Sequence, residues 1–320
     1  MYKFVSSQNK RALHRAYNAL YVQDLEEKWN KKVRITPLLA GAMLPGMTAK
    51  KLLTADFKKL ADVYFHYRNY VKGLTDIQAK EVNDAAKKVF TYTSFKDNIR
   101  DFLINPIHKF EIWNCVYCDM AKVSPFDHKG KRVRRFDTEH VLDKGNCPLV
   151  ALSLYNFVPS CATCNGPAIK GTQTIGDTKD EIVKLSPTNP AYDFWNKVLF
   201  VVNSKATIAW KKRENIPNNF EIDFVYKDAT YKKSVDLFGL KSRYNTDCLM
   251  EALRWLDKKD RFTPKMLHDY ANLEGCSVDA ICEREFKIDI DRKEHNLYRK
   301  MKEDLIGITA LVINMSVAVE

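Results

Sequence analysis

The sequence predicts an α+β protein in three parts. A mostly helical region spans 1–110, a compact insert spans 111–171, and a mixed strand and helix region spans 172–320. Three observations carry this. Apolar residues of the first third recur at helical spacing. Cys115 and Cys118, separated by 42 residues from the second pair, Cys161 and Cys164, frame the insert with it. The last part shows strand-length apolar runs followed by helical periods.

In the first part, Leu13, Tyr17, Leu20 and Tyr21 mark one helix, and Phe57, Leu60, Ala61 and Tyr64 a second. Val82, Ala85, Ala86 and Val89 mark a third, opened by a capping box over Thr75–Gln78. Pro37 and the 41–47 segment, with Pro45 and Gly46, separate the first helix from the second. Aromatics alternate with basic residues at Tyr64, Phe65, His66, Tyr67, Arg68, Tyr70 and Lys72. Helical spacing makes this a packed face with snorkelling cations; a nucleic-acid contact face is the alternative.

Inside the insert, residues 131–141 alternate in strand fashion around Val133, and Asn156 to Pro159 suits a second strand. Cys161 to Lys170 suits a turn and a short helix. Beyond it, Val198 to Val202 and Thr207 to Trp210 suggest a hairpin, and Phe220 to Tyr226 a third strand. Helices follow: one along Leu249, Ala252, Leu253 and Leu256, one started by Thr263-Pro264, one capped by Ser277, and one along Leu297, Met301 and Leu305.

Hydrophobic content of 45% suffices for sizeable cores. No apolar run reaches the ~18 residues of a membrane span; Ile308 to Val319 is shorter and carries Asn314 and Ser316. Lys3, Gln8, Asn9, Lys10 and Arg11 interrupt any signal core, so a soluble cytoplasmic protein with no membrane partner is expected. The net charge of +12 is uneven: residues 1–110 hold 20 Lys and Arg against 10 Asp and Glu, and 172–320 hold 24 against 24. Such an excess is the footprint of a polyanion binder.

Two C-x2-C pairs supply four thiolates, the donor set of a structural zinc, and four sulfurs leave no open position for catalysis. Cys115, Cys118, Cys161 and Cys164 are therefore the expected zinc ligands; four unrelated reduced thiols are the alternative. Cys147, Cys248, Cys276 and Cys282 show no pair spacing and are read as inert thiols.

The chemistry must then come from residues between the pairs. His140 lies beside Glu139, and Asn156 and Asn165 follow. Magnesium or manganese takes oxygen donors, and a neutral imidazole takes a proton from water. Base, cation and phosphate clamp together fit phosphodiester hydrolysis.

Glu139-His140, then Asn156, then Asn165 beside the second pair, is a run that resembles the HNH endonucleases of the ββα-metal superfamily, in their H-N-N form. The resemblance covers roughly 111–171. It implies His140 as the general base, Glu139 and Asn165 as ligands of the catalytic cation, and Asn156 as the brace that orients the base. It implies cleavage of DNA, double-stranded first, leaving a 5′ phosphate. Adjacent strand residues face opposite ways, so Glu139 and His140 serve one phosphate only where the strand ends or kinks. Asp137 shares the Glu139 face and is a rival ligand. Lys170, five residues after Asn165, is the candidate phosphate lysine at an unusual spacing, with Lys144 and Arg135 as alternatives. Arg132 and Arg134, with Arg135, are expected on phosphates rather than base edges.

The order of helical head, zinc-pair core and a tail containing Phe238 to Asn245 is similar to that of standalone bacterial HNH proteins, which implies an anti-phage or mobile-element setting, often beside an ATPase partner. Leu240, Arg243 and Tyr244 themselves read as a packing cluster at a helix start. An RNase, and a zinc-stabilised nucleic-acid-binding module without catalysis, are the competing functions.

Overall fold

The computed structural model of the chain describes residues 1–21, 25–204, 219–287 and 296–307. They form two units. One comprises 2–117 and 122–193; the other comprises Met1, 118–121 and the chain from 194 onward. The break thus falls after Asp193, whereas the sequence motifs suggest divisions at 110 and 171.

In the first unit, α1 (Lys10–Asn18) starts where the Asn9 side chain accepts from the amides of Arg11 and Ala12. α2 (Leu25–Ile35) and the single turns α3 (Leu39–Ala42) and α4 (Ala49–Leu52) follow. Asp56 caps α5 (Phe57–Lys72), and the reciprocal Thr75–Gln78 capping box opens α6 (Asp76–Val89). These caps satisfy amides that a helix start leaves orphaned. α7 (Tyr92–Ile104) completes the helical part.

Leu13, Tyr17, Phe57, Leu60, Tyr64, Tyr67, Val82 and Ala86 are all buried. Each of the larger apolar side chains among them, such as Leu13, Phe57, Leu60 and Val82, contributes roughly 1.5–3 kcal/mol of burial. The aromatic stretch of α5 is therefore largely core. Tyr64 and Tyr67 are inside, and the Tyr70 hydroxyl donates to the Leu38 carbonyl at 2.7 Å. Gly41 permits this approach, because a Cβ there would lie 2.5 Å from the Tyr70 ring.

Three small antiparallel ladders appear among the described residues. β1 (Phe126–His128) and β2 (Lys131–Val133) form a hairpin across Lys129 and Gly130, both at positive φ (48° and 71°). That is the backbone a two-residue hairpin turn requires. β3 (Asp137–His140) pairs with β4 (Phe157–Ser160), with His140 opposite Phe157 and Asp137 opposite Ser160. The continuous strand expected over 131–141 is thus two strands in two sheets. β2 is largely exposed and β3 largely buried; an alternating pattern does not reveal which distant partner each half will take. The short helix α8 (Ala162–Asn165) follows β4 directly, and α9 (Lys179–Lys184) begins at a Thr178–Glu181 capping box.

In the second unit, α10 (Phe194–Lys197) leads into β5 (Val198–Ser204), which pairs with β6 (Phe220–Tyr226) from Val198↔Tyr226 to Ser204↔Phe220. The strand expected at Thr207 to Trp210 lies outside the described residues. α11 (Lys232–Leu237), α12 (Leu240–Asp247) and α13 (Leu249–Arg261) follow. Thr263 caps α14 (Pro264–Glu274), Ser277 caps α15 (Val278–Phe286), and α16 (Arg299–Ile306) buries Met301 and Leu305. On α16, Lys300 is buried against Asp304, whose carboxylate also accepts from the Phe200 amide of β5 at 2.8 Å. Among the described residues no helix is long and apolar enough to cross a membrane; Ile308 to Val319 lies outside them.

Candidate metal and hydrolytic site

The four cysteines of the two pairs are buried, and their sulfurs lie within 4.8 Å of one another. Zinc–sulfur bonds of about 2.3 Å in a tetrahedron put sulfurs roughly 3.8 Å apart. The cluster is thus of the size and donor type that hold a zinc ion. Local geometry explains it. The first pair sits on a turn closed by the Asn114–Lys122 bridge, with the amides of Val123 and Ser124 both donating to the Trp113 carbonyl at 2.9 Å. Asp119, just past Cys118, takes the left-handed conformation (φ 57°) that turns the chain back. In the second pair, Cys161 caps α8, its sulfur accepting from the Cys164 amide at 3.4 Å. Of the other cysteines, Cys147, Cys248 and Cys282 are buried and Cys276 is exposed. Burial pushes the thiols of Cys248 and Cys282 up to about 12 and about 11, so both stay protonated.

His140 ends β3, 5% exposed. The Tyr92 and Phe157 rings meet it edge-on, at centroid distances of 4.6 and 4.9 Å. Its Nε2 lies 3.0 Å from the Ala151 carbonyl. A carbonyl oxygen only accepts, so Nε2 carries the proton and Nδ1 keeps its lone pair. Burial, with the Lys144 charge, holds the imidazole well below its ordinary value of 6.5, and the ring is neutral at pH 7.

Glu139 faces other neighbours. It is 2% exposed; Lys170 Nζ lies 2.5 Å from Oε1, and the Tyr117 hydroxyl donates to Oε2 at 3.2 Å. Burial raises its carboxyl above the ordinary value, opposed chiefly by Lys170. The strand alternation therefore holds: the Glu139 carboxylate bonds Lys170 and Tyr117, and the His140 ring meets Tyr92, Phe157 and the Ala151 carbonyl.

Lys170, the candidate phosphate lysine, lies in the interior. It is 1% exposed, and beyond Glu139 it donates to the His140 carbonyl at 2.9 Å. A buried ammonium is stable only when paired this way.

Asn156 is fully buried. Its amide nitrogen donates to the carbonyls of Leu142 and Val150 at 3.0 Å, and its oxygen accepts from the Leu142 amide at 2.7 Å. It ties together both ends of the loop that carries Ala151. Asn165, half-buried on α8, lies beside Asp137, with Nδ2 3.4 Å from Oδ2. Asp137, also half-buried, is thus the β3 carboxylate beside Asn165.

Lys144 is exposed, its Nζ 5.2 Å from the Tyr92 ring centre, and its charge acts on both His140 and Glu139. Arg132 donates from Nε to the Ile104 carbonyl at 3.0 Å and sits 3.4 Å from Asp127. Arg134 donates to the Phe136 carbonyl at 3.4 Å, and Arg135 lies over the Phe126 ring at 4.4 Å.

Sequence reasoning missed Tyr92, Tyr117 and Ala151. Nothing local marks them, since each meets its partner only through tertiary packing; Tyr117 stood inside the first cysteine pair without drawing notice. Comparison with protein-family models, curated proteins and solved structures gave no match to this chain.

Proposed function

We propose that the chain is a metal-dependent DNA endonuclease of the HNH kind, stapled by one structural zinc on Cys115, Cys118, Cys161 and Cys164. The observation that supports it best is the His140–Ala151 hydrogen bond. It holds a neutral imidazole in the tautomer whose Nδ1 accepts a proton, which is what activation of water requires. Asn156 is a positioning residue, because it braces the loop whose carbonyl holds that tautomer. Asn165 and a β3 carboxylate supply the oxygen donors that suit magnesium or manganese. Asp137 stands next to Asn165 already, while Glu139 serves as a ligand only on release from Lys170. A cation bound there stabilises charge on the leaving oxygen. Lys144, exposed beside both groups, takes the phosphate-contact role in place of Lys170. Arg132, Arg134 and Arg135 extend the contact along the backbone of the duplex. An anti-phage or mobile-element setting with an ATPase partner rests on the resemblance in the order of head, core and tail alone.

A second reading is a zinc-stabilised nucleic-acid-binding module without catalysis. The burial of His140 and the Glu139–Lys170 pair favour it, since both groups already have protein partners. Cleavage of plasmid, single-stranded DNA and RNA, each with magnesium and without, separates the readings. The nuclease reading expects magnesium-dependent nicking of DNA, lost in His140→Ala with zinc content retained. Binding without cleavage under every metal tried supports the second reading, and cleavage of RNA alone makes the enzyme an RNase.

A further inference from the structure

A cavity of about 310 Å³ is lined by Tyr92 and Ala151, the residues whose ring and carbonyl meet the His140 side chain. Its walls are Phe90, Tyr92, Pro148 and Ala151, and exposed Lys87 and Lys144 stand at its rim. No carboxylate lines it among the described residues. Ala151 is the residue whose carbonyl holds His140, so the cavity and the imidazole share a wall.

We infer that this cavity is a nucleotide-binding site that takes one unpaired base of a DNA strand, flanking the phosphate presented to His140. Three features converge. The volume lies at the lower end of ligand pockets, roughly 300–1,000 Å³, and suits one nucleoside rather than a larger group. The half-buried Tyr92 ring lines the cavity with the Lys144 ammonium 5.2 Å from its centre, and every base has a π-face that stacks on such a ring when the ammonium moves aside to a phosphate. Two ammonium groups flank an apolar floor, as a base attached to phosphates on both sides requires. A base inside this cavity cannot be paired, so the strand is single, frayed or flipped at this point. The inference rests on the nuclease reading for the identity of the neighbouring phosphate, but base binding is measured without cleavage.

The test uses the zinc-loaded full chain in magnesium-free buffer, with two dye-labelled probes of equal length: oligothymidylate and a fully abasic deoxyribose-phosphate strand. Wild type is expected to bind oligothymidylate about ten-fold more tightly than the abasic strand, the scale of one stacked base. Tyr92→Leu loses that preference and Tyr92→Phe keeps it. Lys87→Ala weakens both probes alike and reduces the salt slope by about 0.7, one phosphate contact on a single strand. Equal binding of the two probes by wild type, or an unchanged preference in Tyr92→Leu of intact zinc content, overturns the inference. Base preference in a chain that never cleaves would sink the nuclease reading and leave the base site standing. Cleavage without base preference does the reverse.

Discussion

The Tyr244 hydroxyl donates to the Cys118 carbonyl at 2.6 Å, within the second unit. Tyr244 is fully buried on α12, and burial, reinforced by the Asp119 charge, holds its phenol well above the ordinary value. The Lys300 amide donates to Asp119 Oδ2 at 3.1 Å, and the Tyr298 amide to the Asp119 carbonyl at 3.0 Å. The turn that carries the second cysteine is thus held from α12 and from the start of α16. Tyr244→Phe removes this hydrogen bond, a loss of about 0.5–1.5 kcal/mol. The expected outcome is a lower melting temperature and faster zinc release to a chromogenic chelator. A variant matching wild type in both would make the hydrogen bond idle.

Zinc itself is the second test. Purified protein should carry about one zinc per chain, as four thiolates require. Cys115→Ser or Cys164→Ser should lose the metal and most of the folded yield, because zinc binding and folding are one equilibrium in such sites. Elemental analysis that finds well-folded protein free of zinc would remove the staple.

The two β3 carboxylates should behave differently. Glu139→Gln leaves the Lys170 ammonium buried and short of its charge partner, and breaking a buried pair costs about 3–5 kcal/mol. Asp137→Asn removes a half-buried carboxylate beside Asn165, and its effect on stability should stay within about 0.5 kcal/mol. Magnesium-dependent cleavage is nevertheless expected to fall most in Asp137→Asn. Denaturant titration and a magnesium titration of cleavage rate read the two effects. Full activity in Asp137→Asn would return the cation to Glu139.

Acid should unfold the first unit through His140. Its folded pKa is depressed well below 6.5, mainly by burial. A depressed group contributes stability that is present above the unfolded value and is lost as pH falls through the folded one. Glu139 has the opposite sign. Its folded value is raised above 4.5, so its contribution is present below that value and declines as pH rises through the folded one. Wild type should therefore lose stability steadily from about pH 6.5 downward, relative to His140→Gln. His14 and His108 are also depressed by burial, and comparison with the variant cancels their share. Parallel stability curves for the two proteins between pH 7 and 5 would show that the imidazole is not desolvated in solution.

The sequence by itself determined three helices of the first unit, α1, α5 and α6, and the starts of a few helices along the chain. Thr75 and Gln78 meet as a capping box, and Thr263 and Ser277 cap where expected, because these contacts span only a few residues. It also determined that the four cysteines would be brought together, since no other pair spacing competes. The tertiary structure decided the rest. It split 131–141 between two sheets, because strand partners are chosen at long range. It drew Lys170 into the interior, because Glu139 on a buried strand face needs a counter-charge once water is gone. It set Tyr92 against His140 from a helix start nearly fifty residues upstream, and Tyr244 against Cys118 from more than a hundred residues downstream. Contacts that close loops of that length leave no periodic trace in the chain, and burial and shape select them only after the local elements have formed.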